Sequence, residues 1–528
     1  MRFSPSKTQM IIFTRKNKYS EPPKLKLDGQ QMKFSKVVKY LGVWLDHRLN
    51  MRYHIDEQIK VCKKAMFAMG NRCSKRWGPT PKGVDYYYKA IIRSKFTYGS
   101  LVTHKACRLK GVQNKLKSFQ RLSFTSQGPL WRSTPTRGME IITYTRPLEL
   151  EVRKTAAEAY LRTMDFQLFD PKVMWTEKES AKGHRQWCEE FLQIINFKYR
   201  GVKHDHIPVE LKWDKSYTID VNSMTSSDPL IKGQVQPKKA NIRIFTDGSA
   251  QEGSPSGSGV HVEVEGKLIE TFSYNVGEVD IKLAEIYALK KAGQWIIRNG
   301  NYTVGQNVDI YCDSQAAIHS VNAIKTRSET TVRTMHVLNG AGKVCNLTIR
   351  WVKSHSTSIG NANADRAANK GRTLPYVVYD SPKISWAALM NNLVGGVNNL
   401  WNTLWDKEQA FRQTKQWFPE IDPKRSYDIH RLKRVQWGKL CQFITGHNSL
   451  NRHLFLTEVD PELESAQCTK CGYGDMTSSH IMGNCPRFWR ERGEIFSNYY
   501  LSPPFKLPIG QVLHFMKRIG VEPLKWDD

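Results

Sequence analysis

Between residues 240 and 373 short apolar strands alternate with one long amphipathic helix, and two of the strands end in an acid. Expected strands cover 241–246, 258–265, 267–276, 307–312 and 347–352, and the helix covers 281–298 with Leu283, Ile286, Leu289 and Ile296 on one face. Such a pattern folds as a sheet covered by helices. Asp247 closes the first strand and Asp313 the fourth. A carboxylate at a strand's C-terminal end points to the crevice where sheets of this kind bind ligands. Glu285 lies on the amphipathic helix, and Asp365 lies in a second, short helical stretch at 361–368.

Four acids brought together in one fold repel one another unless a cation neutralises them. Hard oxygen donors in that number suit magnesium or manganese. Two such ions about 4 Å apart can hold the attacking water and the departing oxygen of a phosphoryl displacement. Singly, each acid reads as an ordinary turn or cap residue. Their order and surroundings carry the reading.

The succession Thr246-Asp247-Gly248-Ser249, Ala284-Glu285, Asp313-Ser314, Trp351 to His355 and Ala364-Asp365 resembles the type-1 ribonuclease H family, over roughly a quarter of the chain. The resemblance implies a mixed five-stranded sheet flanked by helices. It also implies two magnesium or manganese ions on Asp247, Glu285, Asp313 and Asp365, and cleavage of the RNA strand of an RNA–DNA hybrid to leave a 3′-hydroxyl and a 5′-phosphate. His355 matches a histidine that the family carries on a mobile loop, where it helps proton movement or product release. By the same analogy Gly248, Ser249 and Asn361 are candidate contacts to sugar hydroxyls or phosphates, the 2′-hydroxyl being what marks RNA. Gln315 is a candidate for the same groove, its alternative being an exposed first-turn residue. Two departures stand out. Ser354-His355 replaces the frequent Gly-His, and Gly360-Asn361-Ala362 replaces the frequent Gly-Asn-Glu. Neither removes a metal ligand, so an altered rate is expected before a lost activity.

A chain of 528 residues implies several domains. Its formal net charge of +31 favours a polyanionic partner, nucleic acid before membrane. The 240–373 segment holds 15 Lys plus Arg against 12 Asp plus Glu, a net +3, so the flanks carry most of the charge. No apolar run reaches the roughly 18 residues of a membrane span, and the N-terminus lacks a secretory pattern. An intracellular location, cytoplasm or nucleus, is expected. Of ten cysteines, Cys468, Cys471 and Cys485 cluster with His480 as C-x2-C-x8-H-x4-C. Three thiolates and an imidazole suit a closed, structural zinc site, against the alternative of free thiols on a helical hairpin. Arg487, Phe488, Trp489, Arg490 and Arg492 follow, able either to touch nucleic acid or to pack on the zinc module.

Before the central segment, 10–13 and 37–45 read as strands, the second broken by a glycine, and 55–69 and 148–161 read as helices. Pro5-Ser6-Lys7-Thr8, Phe13 to Lys16, Lys39 to Asp46 and His54 resemble the end of the reverse transcriptase of non-LTR retrotransposons. Thr445-Gly446-His447 and the cysteine cluster resemble the C-terminal region of the same elements. The resemblance implies a palm end with a primer-gripping hairpin at 1–60 and a thumb-like helical region at 61–165. A linker is expected at 166–239, the ribonuclease H domain at 240–373, a helical region at 374–455, a zinc module at 456–500 and a partly ordered tail at 501–528. The Tyr-x-Asp-Asp motif of the palm is absent. The chain is therefore expected to be the C-terminal piece of a retroelement polyprotein, or a truncated copy, that does not polymerise DNA alone; a separate palm is a conceivable partner. Competing readings are an inactive remnant that binds nucleic acid, and an RNA-packaging protein acting through the zinc module.

Overall fold

The computed structural model describes residues 4–520 apart from 15, 17–23, 71–73, 75–76, 164–182, 200–203, 208–210, 213, 221–239, 252–253, 355–357 and 377–381. The chain divides into two compact units, one formed by 1–161, 175–196 and 394–528, the other by 162–174 and 197–393.

The second unit is built on one mixed sheet. Its strands are β1 (Thr218–Asp220), β2 (Ile242–Ser249), β3 (Ser256–Val264), β4 (Lys267–Gly277), β5 (Asn307–Cys312) and β6 (Asn346–Trp351). They lie in the order β1-β6-β5-β2-β3-β4. β1, β6, β5 and β2 run parallel, whereas β3 and β4 return antiparallel as a meander. Five strands were expected and six are present. The extra one, Thr218–Asp220, falls within the region read as linker. Three residues are too few to show an alternation, and this strand exists because β6 offers it an open parallel edge.

Helix α1 (Ile281–Arg298) covers one face of the sheet, together with α2 (Gln315–Asn322) and α3 (Glu329–Val344). Its stripe Leu283, Ile286, Leu289 and Ile296 is buried with Ile244, Val260, Val308 and Ile310 of the strands. Asp280 caps α1 by accepting from the Leu283 amide at 3.2 Å. Helix α4 (Ile359–Gly371) packs on β3 and β2. That approach is close: a Cβ built on Gly259 would collide with the Ala364 carbonyl and the Ala368 amide of α4. Gly259→Ala is therefore expected to push α4 away from the sheet and to cost about 1–3 kcal/mol of stability. A fall in the urea midpoint at unchanged slope would register it.

The first unit is largely helical. Phe124, Ile141, Trp417, Trp437, Phe505 and Phe515 share one buried core, so stretches far apart in sequence fold together. Arg434 is buried and donates to the carbonyls of Ser74, Pro79 and Ser126, each at 2.9 Å. Two expectations need correction here. The 37–45 stretch is a hairpin, Val37–Tyr40 against Val43–Asp46, and not one interrupted strand, because Leu41 and Gly42 both take positive φ and reverse the chain. Residues 10–13 form only an isolated bridge, Met10 to Phe34. Within the tail, Ile509–Arg518 is a helix whose Val512 and Phe515 are fully buried, and residues 521–528 lie outside those described. Its amphipathic face was hidden in sequence by the prolines before it.

Candidate active site and cysteine–histidine cluster

Register brings the first two acids together. β2 and β5 are parallel neighbours with Thr246 opposite Cys312, so Asp247, still within β2, and Asp313, just past the end of β5, stand side by side. Glu285 reaches them from α1 because β2 carries Gly248 beneath it. A Cβ at Gly248 would lie 2.7 Å from the Glu285 nitrogen. Single carboxylate oxygens of Asp247, Glu285 and Asp313 all lie within 4.8 Å of one another. Asp365 on α4 lines the same cleft, near enough for its charge to bear on Asp247, but lies outside the group of three. All four line one cleft of about 300 Å³.

The electrostatics fit a cation site. Asp247 and Glu285 are only 6% and 3% exposed. Burial, then the neighbouring carboxylates Asp313 and Asp365, push Asp247 up to about 8. Burial, then Asp247 and Asp313, push Glu285 well above the usual carboxylate range. No Lys or Arg lines this cleft among the described residues. Four carboxylates, two buried and two half-buried, with no protein cation lining their cleft among the described residues, are the donor set a hard divalent ion requires.

A pH dependence follows. Asp247 holds a proton in the folded chain between the ordinary carboxylate value near 4 and about 8, whereas the unfolded chain has lost it. The folded state then binds more protons, so metal-free stability falls as pH rises through that window. A divalent ion must displace those protons. Magnesium is thus expected to raise the melting temperature more at pH 8 than at pH 6, as thermal melts with and without the ion would show.

Of the expected nucleic-acid contacts, Gly248, Ser249 and Asn361 line the cleft, whereas Gln315 is exposed at the start of α2 and does not. His355 lies outside the described residues. Several supporting groups escaped the sequence reading. Asn369 donates to Asp365 Oδ1 at 2.9 Å and accepts from the Ser249 hydroxyl at 2.7 Å, fixing the fourth acid to β2. Trp351 Nε1 donates to the Asp313 carbonyl at 2.9 Å. The Cys312 thiol lies 3.8 Å from Glu285 Oε2. Only the i,i+4 spacing of Asp365 and Asn369 gave a signal in sequence.

In the first unit, ligand atoms of Cys468, Cys471, His480 and Cys485 also lie within 4.8 Å of one another. Backbone hydrogen bonds from Gly472 to Cys468 and from Cys468 to Gly474 close the knuckle turn. Burial pushes the Cys485 thiol up to about 12, whereas at Cys471 burial is outweighed by hydrogen bonds from the Tyr473 backbone, Cys468 and Cys485, which lower that thiol. Three sulfurs and one imidazole at this spacing fit zinc. The residues that follow divide between the two roles left open. Phe488 is buried in the core, and Arg492, fully buried, donates to the carbonyls of Ile481, Cys485 and Tyr499. Arg487, Trp489 and Arg490 are exposed.

Residues 239–373 match the family model described as RNase H, so the chain carries an RNase H domain. A curated relative is the retrovirus-related Pol polyprotein from type-1 retrotransposable element R1 of Bradysia coprophila, 24% identical over 156 residues. That match covers 29% of this chain and 15% of the relative, so the chain spans a small part of the polyprotein it resembles. Among solved structures, RNase H1 from Halobacterium salinarum is 19% identical with a TM-score of 0.21, covering 25% of this chain and 96% of that one. LC11-RNase H1, solved in complex with an RNA/DNA hybrid, is 26% identical with a TM-score of 0.22 over the same shares. No described helix is long and apolar enough to cross a membrane.

Proposed function

Starting from an RNase H domain whose acids converge in one cleft, we propose that this chain hydrolyses the RNA strand of RNA–DNA hybrids, as part of a retrotransposon polyprotein. The observation that carries the reading is the meeting of Asp247, Glu285 and Asp313 within 4.8 Å, in a cleft that Asp365 also lines. These four would hold two magnesium or manganese ions, which supply a Lewis acid for the phosphate and a lowered pKa for the attacking water. The chain's own part is positional. β2 and β5 fix Asp247 and Asp313, α1 delivers Glu285, and the Ser249–Asn369 pair steadies Asp365. Preformed placement of this kind spares reorganisation during the reaction. Gly248, Ser249 and Asn361 are proposed substrate contacts, and His355 is proposed to serve proton movement. Zinc on Cys468, Cys471, His480 and Cys485 is proposed as a structural brace.

A labelled RNA–DNA duplex, a DNA duplex and an RNA duplex, each with and without magnesium, test the activity. Magnesium-dependent cutting of the hybrid's RNA strand alone is the expected result, with 3′-hydroxyl and 5′-phosphate ends. Salt-sensitive binding of the hybrid without any metal-dependent product would replace the enzyme reading with that of a nucleic-acid-binding remnant.

A further inference from the structure

One residue of the carboxylate cleft has no part in the chemistry above. Ile281, the first residue of α1, lines the cleft and is 54% exposed. Among the described lining residues it is the one large apolar side chain. The rest are acids, serines, asparagines and the small Gly248, Ala250 and Ala362. A lone exposed isoleucine is ordinary on a protein surface, but this one is held in place. Ser256 and Ser258 of β3 donate to the carbonyls of Val279 and Ala284, each at 2.6 Å, and Asp280 caps the helix on the Leu283 amide. Gly248 lets β2 close against the Glu285 nitrogen. The first turn of α1 is thus pinned to two strands. A β-branched side chain in a helix also has little rotamer freedom of its own. The fold therefore presents a stiff apolar surface at a fixed point of a polar cleft.

That point is one helical turn from a candidate metal ligand. Residues four apart on a helix have Cβ atoms about 5–6 Å apart, so Ile281 stands beside Glu285. A phosphate seated on the carboxylates carries a sugar on either side, within reach of that position. An aliphatic side chain cannot bind the phosphate, nor can it hydrogen-bond a base edge. The base faces of a duplex are stacked on one another. The carbons of the sugar are the apolar surface that remains.

We infer that Ile281 packs on a sugar flanking the phosphate to be cut and leaves the 2′-position of that sugar unread. The inference rests on the hybrid-cleaving reading above and narrows its substrate class. A site that hydrogen-bonds a hydroxyl rejects the analogue lacking it, because its own polar groups are left unpaired, whereas an apolar wall discriminates weakly. The RNA strand is therefore recognised at other sugars, and a strand whose ribose run is interrupted by one deoxyribose beside the cut remains a substrate.

The test uses the full chain, magnesium and RNA–DNA hybrids whose RNA strand carries a single 2′-deoxynucleotide, moved stepwise across the nucleotides on either side of one cleavage site. Each kcat/KM is compared with that of the all-ribose hybrid for the same protein. In the wild type a position adjacent to the cut is expected to lose less than about twofold, while positions whose hydroxyl is read lose about tenfold or more. Ile281→Asn brings a donor and an acceptor to the same place and should raise the loss at the tolerant position to about tenfold. Ile281→Ala should raise KM about fivefold, with the change in KM and not in kcat, as for a contact made equally before and during the reaction. Ile297→Ala, which trims a 44% exposed isoleucine further along the same helix, should leave KM as it was. A loss of about tenfold at every position in the wild type, a tolerant position that survives Ile281→Asn, or an unchanged KM in Ile281→Ala would each overturn the inference while hybrid cleavage itself stands. No cleavage of the all-ribose hybrid would remove the function and the inference together.

Discussion

Replacing Asp247 with asparagine is expected to lower the rate of hybrid cleavage by on the order of 10³-fold, because a lost metal ligand forfeits several kcal/mol of transition-state stabilisation. Its effect on stability should run the other way. In the metal-free chain Asp247 is 6% exposed and faces Asp313 and Asp365, so its charge is opposed by burial and by both neighbours. An amide of the same shape removes that conflict. The gain should be largest near pH 8, where the wild-type carboxyl is losing its proton, and should vanish near pH 4, where both variants are uncharged at this position. Single-turnover cleavage rates, paired with melts in a chelator at the two pH values, read both effects. A rate loss accompanied by lower stability at every pH would point to misfolding and away from a lost ligand.

Stripping metal from the cysteine–histidine cluster should unfold much of the first unit. Cys468 and Cys485 are fully buried in the same core as Trp417, Trp437 and Phe505. The core and the ligand set are therefore one structure. Structural zinc sites contribute apparent binding free energies of about 10–16 kcal/mol, well beyond the roughly 5–15 kcal/mol that typically holds a domain folded. A strong chelator, or Cys485→Ser, is expected to red-shift the tryptophan emission. Elemental analysis should give one zinc per chain in the wild type and none in the variant. Arg492 makes the coupling tighter. It holds the Cys485 carbonyl and those of Ile481 and Tyr499, so release of Cys485 loosens the strand of contacts that follows it.

The acids were legible because an aspartate closing an apolar alternating run and an amphipathic helix are local patterns, although β2 in fact continues two residues past Asp247. Asp247, Asp313 and the face of α1 each show within ten or so residues of sequence. What joins them is not local. The parallel register that sets Thr246 opposite Cys312 depends on two strands about sixty residues apart, and the glycines at 248 and 259 have meaning only once α1 and α4 are laid over them. The short strand Thr218–Asp220 left no signal, since its pairing with β6 and not its own three residues makes it a strand. The same reasoning covers the tail. Ile509–Arg518 is held by the core that receives Val512 and Phe515, a burial that the prolines before it masked in sequence. Arg492 shows the limit of composition most plainly. In sequence it stands in a basic, aromatic run suited to nucleic acid, yet it is wholly enclosed and bonded to three carbonyls, while its neighbours Arg487 and Arg490 face solvent.

Anomalous diffraction from a crystal soaked in manganese addresses the carboxylate site directly. A peak within about 2.1–2.2 Å of oxygens from Asp247, Glu285 and Asp313 is the expected result, absent when Asp247 is replaced by asparagine. Manganese bound elsewhere, with these carboxylates left bare at saturating ion, would contradict it.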